Sequence, residues 1–288
     1  MKAMILAAGE GTRLRPYTLQ LPKPAIPFLG VPLAFYGVEL LREVGVNELV
    51  VNHYHLSKEI LKLFSETTDL RMRIHFSDES NGLLGSGGGI HKAKPFLESE
   101  ATFFVINGDE IILPNHDGQL SKALKHHQQS QNLMTICVKE HPDVGTKFGG
   151  VWSNPQNAVV QFSKTKLEGL KGWHYTGIVI FSNRIFSYFK DQVVDENILY
   201  DTATLAISKG EKVEVFPLDC QWFETGNPAD FVAATDECLQ ALEQQLLRGW
   251  PSWLFNFLKS QKQRPGLVEM AQPLLLKKVD QLWKNLKS

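Results

Sequence analysis

The sequence predicts an α/β fold: a Rossmann-like mixed, mainly parallel sheet flanked by helices, with a helical appendage at its C-terminal end. Three observations carry this. Short apolar runs that suit buried strands alternate with stretches of helical period. The first apolar run breaks into Gly9-Glu10-Gly11, a corner of the kind that leads out of a strand. From Pro228 onward the alternation stops and helical patterns succeed one another.

In chain order, Ala3–Ala7 reads as the first strand and Leu33–Val44 as a helix ending near Gly45. Glu48–Asn52 is the second strand and Lys58–Phe64 the second helix. Arg73–Phe76 is a short strand, and Gly82–Gly89 reads as a glycine-dense loop. A helix through Ile90–Leu97 leads to the buried strand Thr102–Ile106. Val138 and its neighbours, Gly150–Trp152, Val159–Phe162 and Tyr175–Phe181 supply further strands. Asn197–Ser208 reads as helical and Lys212–Phe216 as extended. Pro228–Leu247, Pro251–Ser260 and Leu267–Lys287 are helix-like, the last two separated by Arg264-Pro265-Gly266. We divide the chain into an α/β domain, residues 1–245, and the helical appendage, residues 246–288. The Trp and Leu content of the appendage suits packing on that domain or in a homo-oligomer.

With 288 residues and 43% hydrophobic content, the chain can bury a sizeable core. Thirty Lys and Arg stand against 31 Asp and Glu, a balance that argues against a nucleic-acid partner. Any anion must therefore be held by locally placed Lys and Arg. The three cysteines, Cys137, Cys220 and Cys238, show no metal spacing and are expected as buried, reduced thiols. The opening apolar run is too short for a signal segment and no stretch has the length of a membrane span. A cytoplasmic protein without a membrane partner is expected. His126, His127 and His141 fall in polar segments and are expected to be solvated.

The opening loop is where the chemistry concentrates. Ligands of open α/β sheets bind at the carboxyl ends of strands, and Ala7-Ala8-Gly9-Glu10-Gly11-Thr12-Arg13 leaves the first strand there. Gly9 and Gly11 allow backbone N–H groups to approach a phosphate, and Arg13 can fork onto its oxygens. Lys23 sits between Pro22 and Pro24, which stiffen the backbone under a point charge. A P-loop is excluded, because no Lys-Ser/Thr follows the glycines; Leu14 stands where a dinucleotide fingerprint needs its third glycine.

Read whole, Lys2 to Pro16 together with Pro22-Lys23-Pro24 closely resembles the sugar-1-phosphate nucleotidyltransferase family, and in patches the resemblance runs to about Phe231. It implies the nucleotide-diphospho-sugar transferase fold, with Ala7, Ala8, Gly9, Gly11 and Thr12 around a nucleoside triphosphate. Arg13 and Lys23 become the catalytic cations. Gly85 and Gly87 match a loop that borders the base and sugar phosphate, usually Leu-Gly-Thr-Ala-Gly. In Asn107-Gly108-Asp109, Asn107 would meet substrate and Asp109 would hold Mg²⁺.

Two patches depart from the family pattern. In Trp222-Phe223-Glu224-Thr225-Gly226, Glu224 takes the place of an aspartate, the second Mg²⁺ ligand. In Gln161-Phe162-Ser163-Lys164, Lys164 matches the lysine that neutralises the sugar phosphate, but Ser163 replaces the glutamate that binds sugar hydroxyls. Tyr175-Thr176-Gly177 matches the strand that backs the sugar pocket, with Gly177 as a substrate contact.

The resemblance implies a Mg²⁺-dependent reaction of an NTP with a sugar-1-phosphate to give an NDP-sugar and pyrophosphate. Asn52-His53, the Gly87–Gly89 triplet and Val105–Asp109 are similar to bacterial N-acetylmuramate-1-phosphate uridylyltransferases of cell-wall synthesis, so UTP with an amino-sugar phosphate leads. GTP with mannose-1-phosphate comes next. Glu224 and Ser163 motivate a third reading, a regulatory subunit that binds nucleotide-sugar without turning it over.

Overall fold

The computed structural model describes residues 1–67 and 72–243. Its centre is β1 (Lys2–Leu6), apolar on both sides: Ala3 and Ile5 face one layer and Met4 the other, all fully buried. A strand buried on both faces reads as a continuous apolar run rather than an alternation. β1 pairs in parallel with β4 (Glu48–His53) on one side and β6 (Thr102–Asn107) on the other, with Ala3 opposite Leu49 and Phe104. β5 (Arg73–Asp78) extends the sheet in parallel beyond β4.

On the other side, β11 (Lys171–Ser182) enters antiparallel to β6, with Ile178 opposite Ile106. β8 (Met134–Lys139) pairs antiparallel with β11, and β12 (Val213–Pro217) in parallel with β8. The early half of β11 also pairs with β9 (Gly150–Ser153), which carries β10 (Val159–Ser163). Among the described residues these strands form one nine-stranded mixed sheet. Two ribbons stand apart, β2 (Pro27–Phe28) with β3 (Val31–Pro32) and β7 (Ile111–Pro114) with β13 (Cys220–Phe223).

Helices cover both faces. α1 (Leu33–Glu43), α2 (Ser57–Glu66), α5 (Gln119–Ser130) and α7 (Pro228–Glu243) pack on the layer of Ile5, Val51, Phe104 and Ile180. α3 (Gly85–Lys92), α4 (Lys94–Leu97) and α6 (Thr204–Ser208) pack on the layer of Met4, Val50, Phe103 and Phe181. The strand order β5-β4-β1-β6 changes winding direction beside β1, and the crevice over the carboxyl ends of β1 and β6 is where such a sheet binds ligands.

Several expectations need correction. The glycines from Gly85 to Gly89 are not a loop but the opening of α3. Packing explains them: the N–H groups of Gly87 and Gly88 both donate to the Glu196 carbonyl, and a Cβ on Gly88 would collide with the Val194 carbonyl. The helix expected over Asn197–Ser208 begins as a wide π-helical turn, Ile198–Ala203, before α6. α5, rich in Lys, His and Gln, and the ribbon strands β7 and β13 escaped the sequence reading. His127 is not solvated: only 2% exposed, its Nδ1 lies 3.0 Å from Thr135 Oγ1. His126 is 2.8 Å from Glu214, and His141 is wedged among rings. The three cysteines are free and buried, as expected. Among the described residues no helix is long and apolar enough to cross a membrane. Residues 246–288, the expected appendage, lie outside the described residues.

Candidate nucleotide and phosphate site

The site begins where β1 ends. Leu6, Ala7, Ala8, Gly9 and Gly11 line one side of a cavity of about 260 Å³. Lys23, Pro24, Asn107 and Asp109 line the phosphate side, and Asn52, Leu83, Gly85 and Ser86 close the far end. Gly11 has φ +61° and its missing Cβ would lie 2.9 Å from Thr18 Cγ2, so the turn itself demands glycine. Gly9 is different. Its backbone needs no positive φ and nothing lies within 4 Å of where a Cβ would be, so no neighbour in the protein requires glycine there.

A buried polar network sets the far end. The Ala7 N–H donates to Asn52 Oδ1 at 2.7 Å, and Asn52 Nδ2 donates to Glu79 Oε1 at 2.7 Å. Glu79, fully buried, also accepts from the Leu84 N–H at 3.2 Å, just before α3. Burial raises the Glu79 carboxyl above the usual range, opposed by these two hydrogen bonds. The network ties the ends of β1, β4 and β5 to the start of α3. Asn52 was singled out from the sequence; Glu79 was not, because its partners arrive from three separate segments.

At the phosphate side, Lys23 Nζ donates to Asp109 Oδ2 at 2.7 Å. Lys23 is 8% exposed. Burial alone would lower its pKa, but the charge and hydrogen bond of Asp109, with Glu110 and Glu224 beyond, hold the ammonium above its usual value. Glu110 follows Asp109 directly, and burial together with the Asp109 charge pushes its carboxyl up to about 7. Glu110 Oε2 accepts from Trp222 Nε1 at 2.8 Å. Thr225 Oγ1 donates to the Asp109 carbonyl at 3.1 Å, stitching the segment after β13 to the end of β6. That stitch brings Glu224 close; its Oε1 accepts from the Gly226 N–H at 2.5 Å. The exposed Arg13 reaches the same corner, its Nη1 2.8 Å from where a Cβ on Gly226 would lie.

The structure thus gathers Ala7, Ala8, Gly9, Gly11, Lys23, Gly85, Asn107 and Asp109 around one cavity. Arg13 and Glu224 meet at its edge. Gly177 packs against Asn107 and Glu110 with φ +81°. Thr12 opens the short turn that carries Arg13, and Gly87 is committed to the Glu196 contact. Lys164 lies outside the cavity lining, exposed at the end of β10, its Cγ 3.9 Å from a Cβ position on Gly149. Sequence reasoning passed over Glu110 and the ring cluster around Trp222, although both adjoin segments it had marked.

The donor set fits Mg²⁺. Asp109 and Glu224 offer only oxygen, and each has a second carboxylate oxygen besides the one bonded to Lys23 or Gly226. Mg²⁺ commonly takes one or two carboxylates and completes its shell with water and substrate phosphate.

A doubly wound sheet with a glycine turn after β1 and a lysine–aspartate pair at the ends of β1 and β6 defines a nucleotide-binding α/β protein. Comparison with known proteins gives the family: residues 2–241 match the nucleotidyl transferase family, and the chain belongs to it. It is 32% identical over 245 residues to a UTP–glucose-1-phosphate uridylyltransferase of Synechocystis, covering 80% of this chain and 61% of that one. It is 30% identical over 264 residues to the catalytic subunit beta of mannose-1-phosphate guanylyltransferase from Xenopus tropicalis, covering 88% and 68%. The chain therefore spans about three fifths to two thirds of the length of these relatives. The fold is shared with an apo UDP-glucose pyrophosphorylase structure, at TM-score 0.70 and 16% identity over 83% of this chain and 98% of that one. HddC from Yersinia pseudotuberculosis bound to GMP-PN shares it at TM-score 0.66 and 22% identity, over 82% and 98%.

Proposed function

We propose that this chain is a sugar-1-phosphate nucleotidyltransferase, joining an NTP to a sugar-1-phosphate and releasing pyrophosphate, with residues 1–245 as its catalytic domain. The observation that carries the reading is the 2.7 Å Lys23–Asp109 pair beside the cavity at the ends of β1 and β6. A sugar phosphate is already anionic at neutral pH, so the reaction needs no general base. Its difficulty is to bring two polyanions together in line. Lys23, already fixed by Asp109, meets the α-phosphate with little ordering to lose. Arg13 holds the leaving pyrophosphate, and Lys164 draws in the sugar phosphate. Asp109 and Glu224 would hold Mg²⁺, which when bound neutralises charge developing on the phosphates.

UTP with an amino-sugar phosphate such as N-acetylmuramate-1-phosphate is the favoured pair, on the residues quoted from the sequence. GTP with mannose-1-phosphate is the second reading, supported by the mannose-1-phosphate guanylyltransferase relatives. The reading places the protein in the cytoplasm, beside the nucleotide pool. A pyrophosphate-release assay crossing four NTPs with a panel of sugar-1-phosphates, in Mg²⁺, tests it. Release with one pair supports the reading and identifies the substrates. Binding of nucleotide-sugar without release under any pair would favour the regulatory subunit instead.

A further inference from the structure

We infer that Glu110, aimed by the Trp222 indole, is the residue that reads the acceptor sugar, accepting a hydrogen bond from a ring hydroxyl or an acetamido N–H. The inference rests on the function proposed above and assigns a specificity residue to that same site.

The order of strands sets the direction of approach. The cavity runs from Asn52 on β4, past Leu6 on β1, to Asn107 on β6, with Leu83, Gly85 and Ser86 at the β4 end. A base fills that end, which leaves Asp109 at the phosphates. Attack at the α-phosphate is in line with the leaving group, so the acceptor needs its own side of Asp109. The next strand beyond β6 is β11, roughly 5 Å further on, and it carries Gly177.

Glu110 lies on that side. Its Cγ is 2.6 Å from where a Cβ on Gly177 would sit, and Asn107 Cβ is 3.2 Å from the same point. Trp222 Nε1 fixes one carboxylate oxygen at 2.8 Å. Trp222 is itself held by rings: His174 at a centroid distance of 4.0 Å, Phe148 at 5.5 Å and His141 at 5.6 Å. The direction of the Glu110 carboxylate is therefore set by a packed aromatic cluster rather than by solvent. Among the described residues no donor reaches its other oxygen, Oε1.

The neighbouring candidates are already engaged. Asp109 is bonded to Lys23, and Glu224 to the Gly226 N–H. Ser163 turns its hydroxyl onto Thr165, accepting from the backbone N–H at 3.1 Å with the two hydroxyls 3.2 Å apart. A sugar presents hydroxyls around an apolar ring, and a fixed carboxylate beside the half-buried indole of Trp222 offers a partner for both features.

The test is calorimetry on the full chain with Mg²⁺ and a non-hydrolysable UTP or GTP analogue. Glucose-1-phosphate, mannose-1-phosphate, N-acetylglucosamine-1-phosphate and N-acetylmuramate-1-phosphate are titrated in turn, and pyrophosphate release is measured in parallel. Glu110→Gln keeps the shape and an oxygen for Trp222; it should weaken the best sugar-1-phosphate by roughly 10- to 100-fold, with analogue binding changed less than about twofold. Trp222→Phe should weaken the same sugar to a smaller degree, as befits a positioning residue. Unchanged sugar affinity in a folded Glu110→Gln variant overturns the inference. So does an equal loss of nucleotide binding, or a raised Mg²⁺ requirement at constant sugar affinity, either of which puts Glu110 at the phosphates. If the wild type binds a sugar phosphate through Glu110 yet releases no pyrophosphate, the inference stands and the catalytic reading falls. If it releases pyrophosphate while Glu110→Gln binds sugar normally, the reverse holds. If it binds no sugar phosphate, both fall.

Discussion

At the scale of single residues, Gly9 and Gly11 look alike in the sequence and differ in the structure. Gly11 is required by its own backbone; Gly9 is not. Gly9→Ala should therefore melt within a degree or two of wild type, yet raise the KM for NTP, because the added methyl intrudes only on a ligand. A drop in melting temperature with unchanged KM would refute this. Gly177→Ala should do the opposite kind of damage: φ +81° and the Glu110 contact predict a loss of roughly 1–3 kcal/mol in denaturant unfolding. Asp109→Ala should abolish Mg²⁺-dependent pyrophosphate release, and wild-type turnover in that variant would remove Asp109 from the proposed metal site. Lys23 and Asp109 were legible because each stands in a short, unusual local string. Glu110 and Glu79 were not, since what distinguishes each is a partner far along the chain: Trp222 for one, Asn52 and Leu84 for the other.

At the scale of elements, period and burial decided what could be read. β1, β4 and β6 are apolar on both faces and announce themselves. α5 presents few apolar positions, Leu120, Ala123 and the unexpected His127 among its buried ones, and its polar composition hid it. The glycine run from Gly85 read as a loop because glycine weakens a helix by roughly 1 kcal/mol per residue. Here the cost is met by close packing, since α3 lies directly against the 194–196 backbone. Gly88→Ala should consequently destabilise the fold and loosen the base end of the cavity together. Thermal melting and nucleotide-analogue titration should move in step; an unshifted melt would show that the 194–196 segment yields easily.

For the whole molecule, two buried imidazoles predict how stability responds to acid. Burial, chiefly, pushes His127 and His174 down to about 4 from an ordinary 6.5. The unfolded chain takes up their protons first as pH falls, so stability present above about pH 6.5 is lost progressively towards pH 4, by on the order of 2–3 kcal/mol for each ring. His127→Asn should flatten that slope in urea titrations between pH 7 and 5. An identical slope in the variant would assign the acid sensitivity to other groups.

The insertion of β11 between β6 and β8 also bears on how the protein is made. As the chain leaves the ribosome, β1, β4, β5 and β6 can assemble while β6 still has one side without a partner. That open edge must wait for a strand beginning at Lys171, and the Trp222 that aims Glu110 arrives later still. An unpaired apolar edge is where nascent chains associate wrongly. Slow elongation between residues 107 and 171 would therefore prolong the interval of greatest aggregation risk, and acceptor recognition would be the last competence the growing chain acquires.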